Sequence, residues 1–166
     1  MSGPLKLRAM DDEDLGVVSA FLQDAIVPLS EMEFVPGEKR FALVASRFRW
    51  ENCPETADMP AGAVQAARQP PGDASLAEGC ASYERVSCGV AFEGVEAVRR
   101  RGLDPRDRGR ILELLGMRIE AGAVTLEFAG AAALRLEGTR ITCRMSDLGD
   151  PWPAQSRPRH PGGEAL

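Results

Sequence analysis

The sequence predicts an α+β protein, an antiparallel β-sheet with two packed helices, on three observations. An Asp-x-x-Asp start opens an amphipathic run at Asp11–Asp14 and again at Asp104–Asp107. Short segments alternate apolar and polar residues, as half-buried strands do. Glycines recur at 122, 130 and 138, where such strands would reverse. The matched starts leave two readings open. One is a duplicated strand–helix–hairpin unit; the other is ordinary reuse of a common motif.

Leu5, Leu7 and Ala9 alternate with Lys6 and Arg8 and predict a first strand. The acidic run Asp11-Asp12-Glu13-Asp14 suits a helix start, where carboxylates accept otherwise orphaned N–H groups and meet the positive end of the dipole. Leu15, Val18, Leu22, Ala25 and Ile26 then follow at helical spacing, and Pro28 is the expected stop. Met32 and Phe34 predict a strand with one wet face. Pro36-Gly37 fits a type II turn, with the left-handed dihedral on Gly37. The return strand carries Phe41, Leu43 and Ala45. Its large residues then change parity to Phe48 and Trp50, alternating with Arg47 and Arg49, which points to a bulge or a second buried face.

Residues 51–80 collect proline, glycine and alanine without a period, and read as a long loop or linker. Val86, Cys88, Val90 and Phe92 share a strand face; Gly94 breaks it, and Val95–Val98 continue. Asp104-Pro105 is the expected start of a second helix, with Ile111, Leu112, Leu114 and Leu115 as its buried stripe and Gly116 as its cap. Four strands of a meander follow, at Met117–Ile119, Val124–Phe128, Leu134–Leu136 and Ile141–Met145. The end of the chain is rich in Pro, Gly and Arg, and only Trp152 is expected to pack back. The expected organisation is a first unit at 1–50, the loop at 51–80, a second unit at 81–152 sharing the core, and a flexible tail at 153–166.

At 166 residues the chain needs no disulfide or metal to hold a core. A net charge of −5 argues against a general nucleic-acid binder. No apolar run is long enough to span a bilayer, so no membrane partner is expected, and Met1–Met10 has no apolar stretch of the kind a secretory signal carries. Cys53, Cys80, Cys88 and Cys143 form no C-x-x-C pair, which suits a reducing, cytoplasmic setting.

The single histidine, His160, lies in the tail, which removes His-based triads and His-rich metal sites from the ordered body. No phosphate-binding glycine motif is present, and no motif implies a cofactor, a metal or a catalytic residue. Phe48, Trp50 and Trp152 read as core aromatics. The suggestive surface feature is Arg99, Arg100, Arg101, Arg106, Arg108 and Arg110, six guanidiniums within twelve residues. Arginine forks match phosphate and carboxylate geometry. The interleaved Asp104 and Asp107 also suit a solvated, salt-bridged surface.

Four stretches, Leu5–Asp11 with its helix, Phe41–Glu51, Val95–Asp104 and Phe128–Trp152, resemble a bacterial family of uncharacterised proteins catalogued as domain of unknown function 2948. The resemblance implies a soluble cytosolic protein and brings no catalytic residue with it. The expected function is therefore a non-catalytic binding or interaction module working through the Arg99–Arg110 edge, with Arg47 and Arg49 as possible additions. Its partner would be a protein or an anionic ligand. The alternatives are an enzyme acting on a small anionic substrate, or RNA contact through the same edge.

Overall fold

The computed structural model describes residues 4–52 and 83–154. Most of the 51–80 stretch, the tail from residue 155, Cys53, Cys80 and His160 lie outside the described residues. Ten strands build one antiparallel sheet: β1 (Lys6–Ala9), β2 (Ala25–Pro28), β3 (Met32–Val35), β4 (Arg40–Phe48), β5 (Glu84–Glu93), β6 (Ala97–Arg101), β7 (Ile111–Glu120), β8 (Ala123–Phe128), β9 (Ala132–Glu137) and β10 (Thr142–Pro153). Their spatial order is β1-β10-β5-β4-β2-β7-β8-β9-β6, and β3 lies beside the first half of β4. No helix among the described residues is long and apolar enough to cross a membrane.

Among the described residues a single α-helix, α1 (Asp12–Phe21), packs on this sheet. Its start is the predicted cap: the Asp11 carboxylate accepts from the Asp14 amide at 2.8 Å, and Asp14 accepts from the Met10 amide at 3.1 Å. Leu15, Val18, Phe21 and Leu22 are buried, each worth ~1.5–3 kcal/mol against exposure. The helix ends at Leu22, before Pro28. Asp24 adopts a left-handed conformation (φ 62°), and Ala25 and Ile26 belong to β2. Pro36–Glu38 forms a 3-10 turn closed by Lys39 (φ 51°), so the left-handed position falls on Lys39 rather than Gly37.

The expected second helix is absent. Asp104 caps a turn instead: its Oδ1 accepts from the Arg106 amide at 2.9 Å, and its carbonyl accepts from the Asp107 amide at 3.1 Å. From Ile111 the chain is β7, with Leu112 and Leu114 buried between exposed Ile111, Glu113 and Leu115. The same apolar residues fit both periods, and two partner strands decide the matter: β2 pairs with one edge of β7 and β8 with the other. Gly116 lies at a bulge in that ladder rather than at a helix end, and the Met117 amide beside it donates to Ser19 Oγ of α1 at 2.9 Å. The matched Asp starts are thus unlike structures, and the repeated strand–helix–hairpin reading loses its second helix.

Strands β7, β8 and β9 form the expected meander, but the fourth strand leaves it. β10 crosses to lie between β1 and β5, and it extends to Pro153 through a register shift at Leu148–Trp152. Trp152 is 40% exposed there, against the expectation of a core residue, whereas Phe48 and Trp50 are buried as expected. The sheet folds over on itself near Gly94. The Val95 amide donates to the Lys39 carbonyl at 2.8 Å, which brings the start of β6 to the start of β4. Gly94 has φ +83°, and a β-carbon on it would overlap the Arg140 carbonyl oxygen; one on Gly138 would overlap the Gly94 carbonyl oxygen. Only bare backbone fits in this crossing.

The far end of the sheet is fastened by a buried ion cluster. Arg47 has no exposed side-chain surface. Its Nε and Nη2 donate to the two oxygens of Asp147, each at 2.8 Å, while Nη2 and Nη1 donate to those of Glu51 at 2.7 and 3.0 Å. Burial alone would lower the Arg47 pKa; the hydrogen bonds to Asp147 and Glu51 reverse that and hold it above its ordinary value. Asp147 also accepts from the Leu5 amide at 2.9 Å, and the guanidinium lies 5.9 Å from the Phe21 ring centroid. One side chain therefore ties β4, β10, the chain start and α1 together.

Two stability predictions follow from these contacts. Gly94→Ala should cost about 2–4 kcal/mol in urea unfolding, from a strained dihedral plus the overlap, while Gly130→Ala (φ +80°, open space around it) should cost about 1–2 kcal/mol. Arg47→Met should cost about 3–5 kcal/mol by leaving two buried carboxylates uncompensated. Arg47→Lys should cost less, because it keeps the charge but loses the double fork.

Candidate functional site

The six arginines separate once folded. Arg99, Arg100 and Arg101 lie on β6, a strand paired, among the described residues, only with β9. Arg106, Arg108 and Arg110 lie in the turns before β7. Arg99 donates to both oxygens of Glu137 at 3.0 Å and is the only one of the six in an ion pair among the described residues. It begins a chain of alternating charge, Arg99–Glu137–Arg135–Glu120–Arg118–Glu127, across the outer face of β6, β9, β8 and β7. The Arg99 hydrogen bond, helped by Arg135, holds the Glu137 carboxyl below its usual range. This is a solvated sheet face, and Arg99 belongs to it. Arg110 is a brace, its Nη1 donating to the Gly102 carbonyl at 2.7 Å. Arg101 and Arg106 are exposed, as are Arg100 and Arg108.

Arg100 and Arg108 line one cleft. Strand alternation places Arg100 on the face of β6 that carries Val98, and both line an apolar cleft of about 340 Å³. Arg108 reaches the same cleft from the turn, steadied by a 3.4 Å contact with the Ser30 carbonyl. Met32 and Phe34 of β3, Phe41 of β4 and Leu134 of β9 form most of the remaining wall, with Leu29, Leu103 and Pro105 closing its end. Among the described residues the lining contains no carboxylate.

The cleft exists because the sheet curls but does not close. Among the described residues β3 pairs only with β4, and β6 only with β9, so the strands facing each other across the cleft share no ladder. Clefts of this type, apolar with a few polar groups at the mouth, are where β-barrel folds take ligands. The sequence pointed to the arginines but missed the apolar wall. Met32 and Phe34 were legible as a strand face, yet nothing local says that this face stays half-covered.

Arg47 and Arg49 do not join this site. Arg47 is the buried hub described above, and Arg49 Nη1 donates to Glu84 at 2.6 Å. A second, broader concavity of about 800 Å³ lies on the outer face of β4, β5 and β10, bordered by Glu31, Glu33, Arg108 and Arg144.

A family model described as "Protein of unknown function (DUF2948)" matches residues 5–160. No curated protein and no solved structure matches the chain.

The chemistry available is therefore that of the side chains in place. Cys88 and Cys143 are buried, and burial pushes both thiols from the ordinary 9.0 up to about 12. A protonated, enclosed thiol is a poor nucleophile. An unfolded thiol ionises near 9.0 while the folded ones retain their protons, so their contribution to stability is complete below about pH 9 and is lost as pH rises toward 12. Over that window each thiol should lower stability by up to about 1.4 kcal/mol per pH unit. Urea unfolding at several alkaline pH values should show a shallower decline in Cys88→Ala/Cys143→Ala than in the unsubstituted protein.

Proposed function

The chain belongs to the DUF2948 family, which brings no activity with it, and we propose that it is a non-catalytic binding module whose cleft holds an amphipathic acid, an apolar body ending in a carboxylate or phosphate. The observation that carries this reading is the pair Arg100 and Arg108. Two guanidiniums without carboxylate partners among the described residues flank an otherwise apolar cleft. Both are exposed, and an arginine fork gains from an anion that brings its own hydrogen-bond acceptors. The apolar wall recognises the body of the ligand, and the arginines fix its orientation. Turnover would need an acid–base group beside the arginines, and among the described residues the cleft wall supplies neither carboxylate nor histidine. Binding without chemistry is what these side chains support best.

The test is calorimetry with decanoate as probe and decanol as its uncharged counterpart. Decanoate should bind more tightly than decanol. Arg100→Gln and Arg108→Gln should each weaken decanoate about tenfold, equivalent to roughly 1.5 kcal/mol for one charged hydrogen bond, and leave decanol unchanged. Arg106→Gln, outside the cleft, should have no effect. Equal affinity for the two probes, or no binding of either, would sink the reading.

A further inference from the structure

The lip of the cleft offers more than its wall and its two arginines. β6 stands at one end of the sheet, and among the described residues its ladder runs to β9 alone. A strand directs the N–H and C=O groups of alternate residues to each of its edges, so part of the β6 main chain faces away from β9. Among the described residues no backbone hydrogen bond from another element reaches Ala97–Arg101 on that edge. The strand is open to solvent: Ala97 and Val98 are half-buried, and Arg99, Arg100 and Arg101 are exposed.

An open edge takes up a further strand unless its side chains deter one. Here the deterrent is selective. Three successive arginines repel a second β6 and any basic strand, and they attract an acidic one. Residues 96–110 hold six arginines against Glu96, Asp104 and Asp107, on a chain whose net charge is −5. Glu96 is engaged by Lys39 at 3.4 Å.

Register divides the lip into two faces. Val98 and Arg100 stand opposite Leu136 and Leu134 of β9, on the face that lines the cleft. Arg99 and Arg101 stand opposite Arg135 and Ala133, on the other face. Arg99 is held by Glu137, and Arg101 has no ion pair among the described residues. A strand added here would alternate in the same way, with one set of side chains toward the apolar wall and the other beside Arg99 and Arg101. A lipid acid would leave the open main-chain groups unused, whereas a peptide engages them together with the wall and the arginines. β1, at the other end of the sheet, carries Lys6 and Arg8, but none of its residues lines the cleft.

We propose that the partner at this site is an extended acidic segment of another protein, alternating acidic and apolar residues, that adds to β6 as a further strand. This rests on the cleft as the seat of an apolar acid and names the source of that acid. Main-chain bonds to β6 supply affinity, and the cleft and the arginines supply selection.

The probe is an acetylated, amidated hexapeptide alternating glutamate and valine, followed by calorimetry and by amide hydrogen exchange of the full chain. It should bind and slow exchange in β6 but not in β1, and a lysine–valine counterpart should not bind. N-methylation of its glutamates or of its valines removes the donors of one strand edge, so one set should abolish binding and the other leave it. Arg101→Glu should weaken the peptide roughly three- to tenfold, and Lys6→Glu on β1 should have no effect. No binding, no protection of β6, an equal response to the two N-methyl sets, an equal loss from Lys6→Glu, or displacement by an equal concentration of oligouridylate would each overturn the proposal. Decanoate bound without the peptide would sink the added strand and leave the cleft reading; neither bound would sink both.

Discussion

A guanidinium sealed from water stays charged inside a protein only if carboxylates are sealed in with it. Arg47 imposes that condition on this fold. It lies on the buried parity of β4, after Phe41, Leu43 and Ala45, so its head group cannot reach solvent. Asp147 must therefore arrive from β10 and Glu51 from the 3-10 turn at Trp50–Asn52, both in fork geometry. β10 in turn carries β1 on its free edge, and the Leu5 amide on Asp147 extends the same network to the chain start. The contact between β10 and β5 is set by the same requirement. Only an apolar set at positions 47, 51 and 147 together would match its stability, and such a set would not specify which strand lies beside β5.

How much of this could be read from the sequence follows the range of the interaction concerned. The start of α1 was legible because its cap is local: Asp11 and Asp14 serve each other's neighbours within one turn. The inner faces of β4 and β5 were legible because alternation over several residues admits one reading. Ile111–Leu115 misled because its apolar residues satisfy a helical and an alternating period equally, and the deciding partners are far away in sequence. Ala25 and Ile26 read as the last helical turn for the same reason, since nothing local announces the left-handed Asp24. The extension of β10 through Gly149 and Pro151 looked like tail composition; a register shift at the sheet edge accommodates both. Arg47 was the strongest missed signal. Its parity already placed a charge on a buried face, which by itself calls for carboxylate partners.

The two outer sheet surfaces follow opposite rules. Across β6–β9 each charge is bordered by its opposite, a surface suited to water and poorly suited to any one partner. Across β4, β5 and β10 charge is withdrawn to the margins, where Arg40 is held by Glu38 and Glu93, and the centre is Ala, Gly and Ser. Alanine and glycine cover little backbone, so a floor of this kind leaves strand surface within reach of whatever rests on it. Conformational entropy is also cheap there, because such side chains have few rotamers to lose.

Arginine on β6 has a reading that involves no ligand: charge on an edge strand deters pairing with a second sheet. That purpose is served by any residue pointing away from the fold, and Arg99 and Arg101 satisfy it. It does not require Arg100 to stand on the strand face of Val98, among the residues that line the cleft. Still less does it require Arg108, which comes from a different element and reaches the same cleft past the Ser30 carbonyl. Edge protection accounts for the number of arginines. The convergence of two of them, from separate elements, on a cleft lining that carries no acid among the described residues is what edge protection leaves over, and it is the observation on which the proposed anion binding rests.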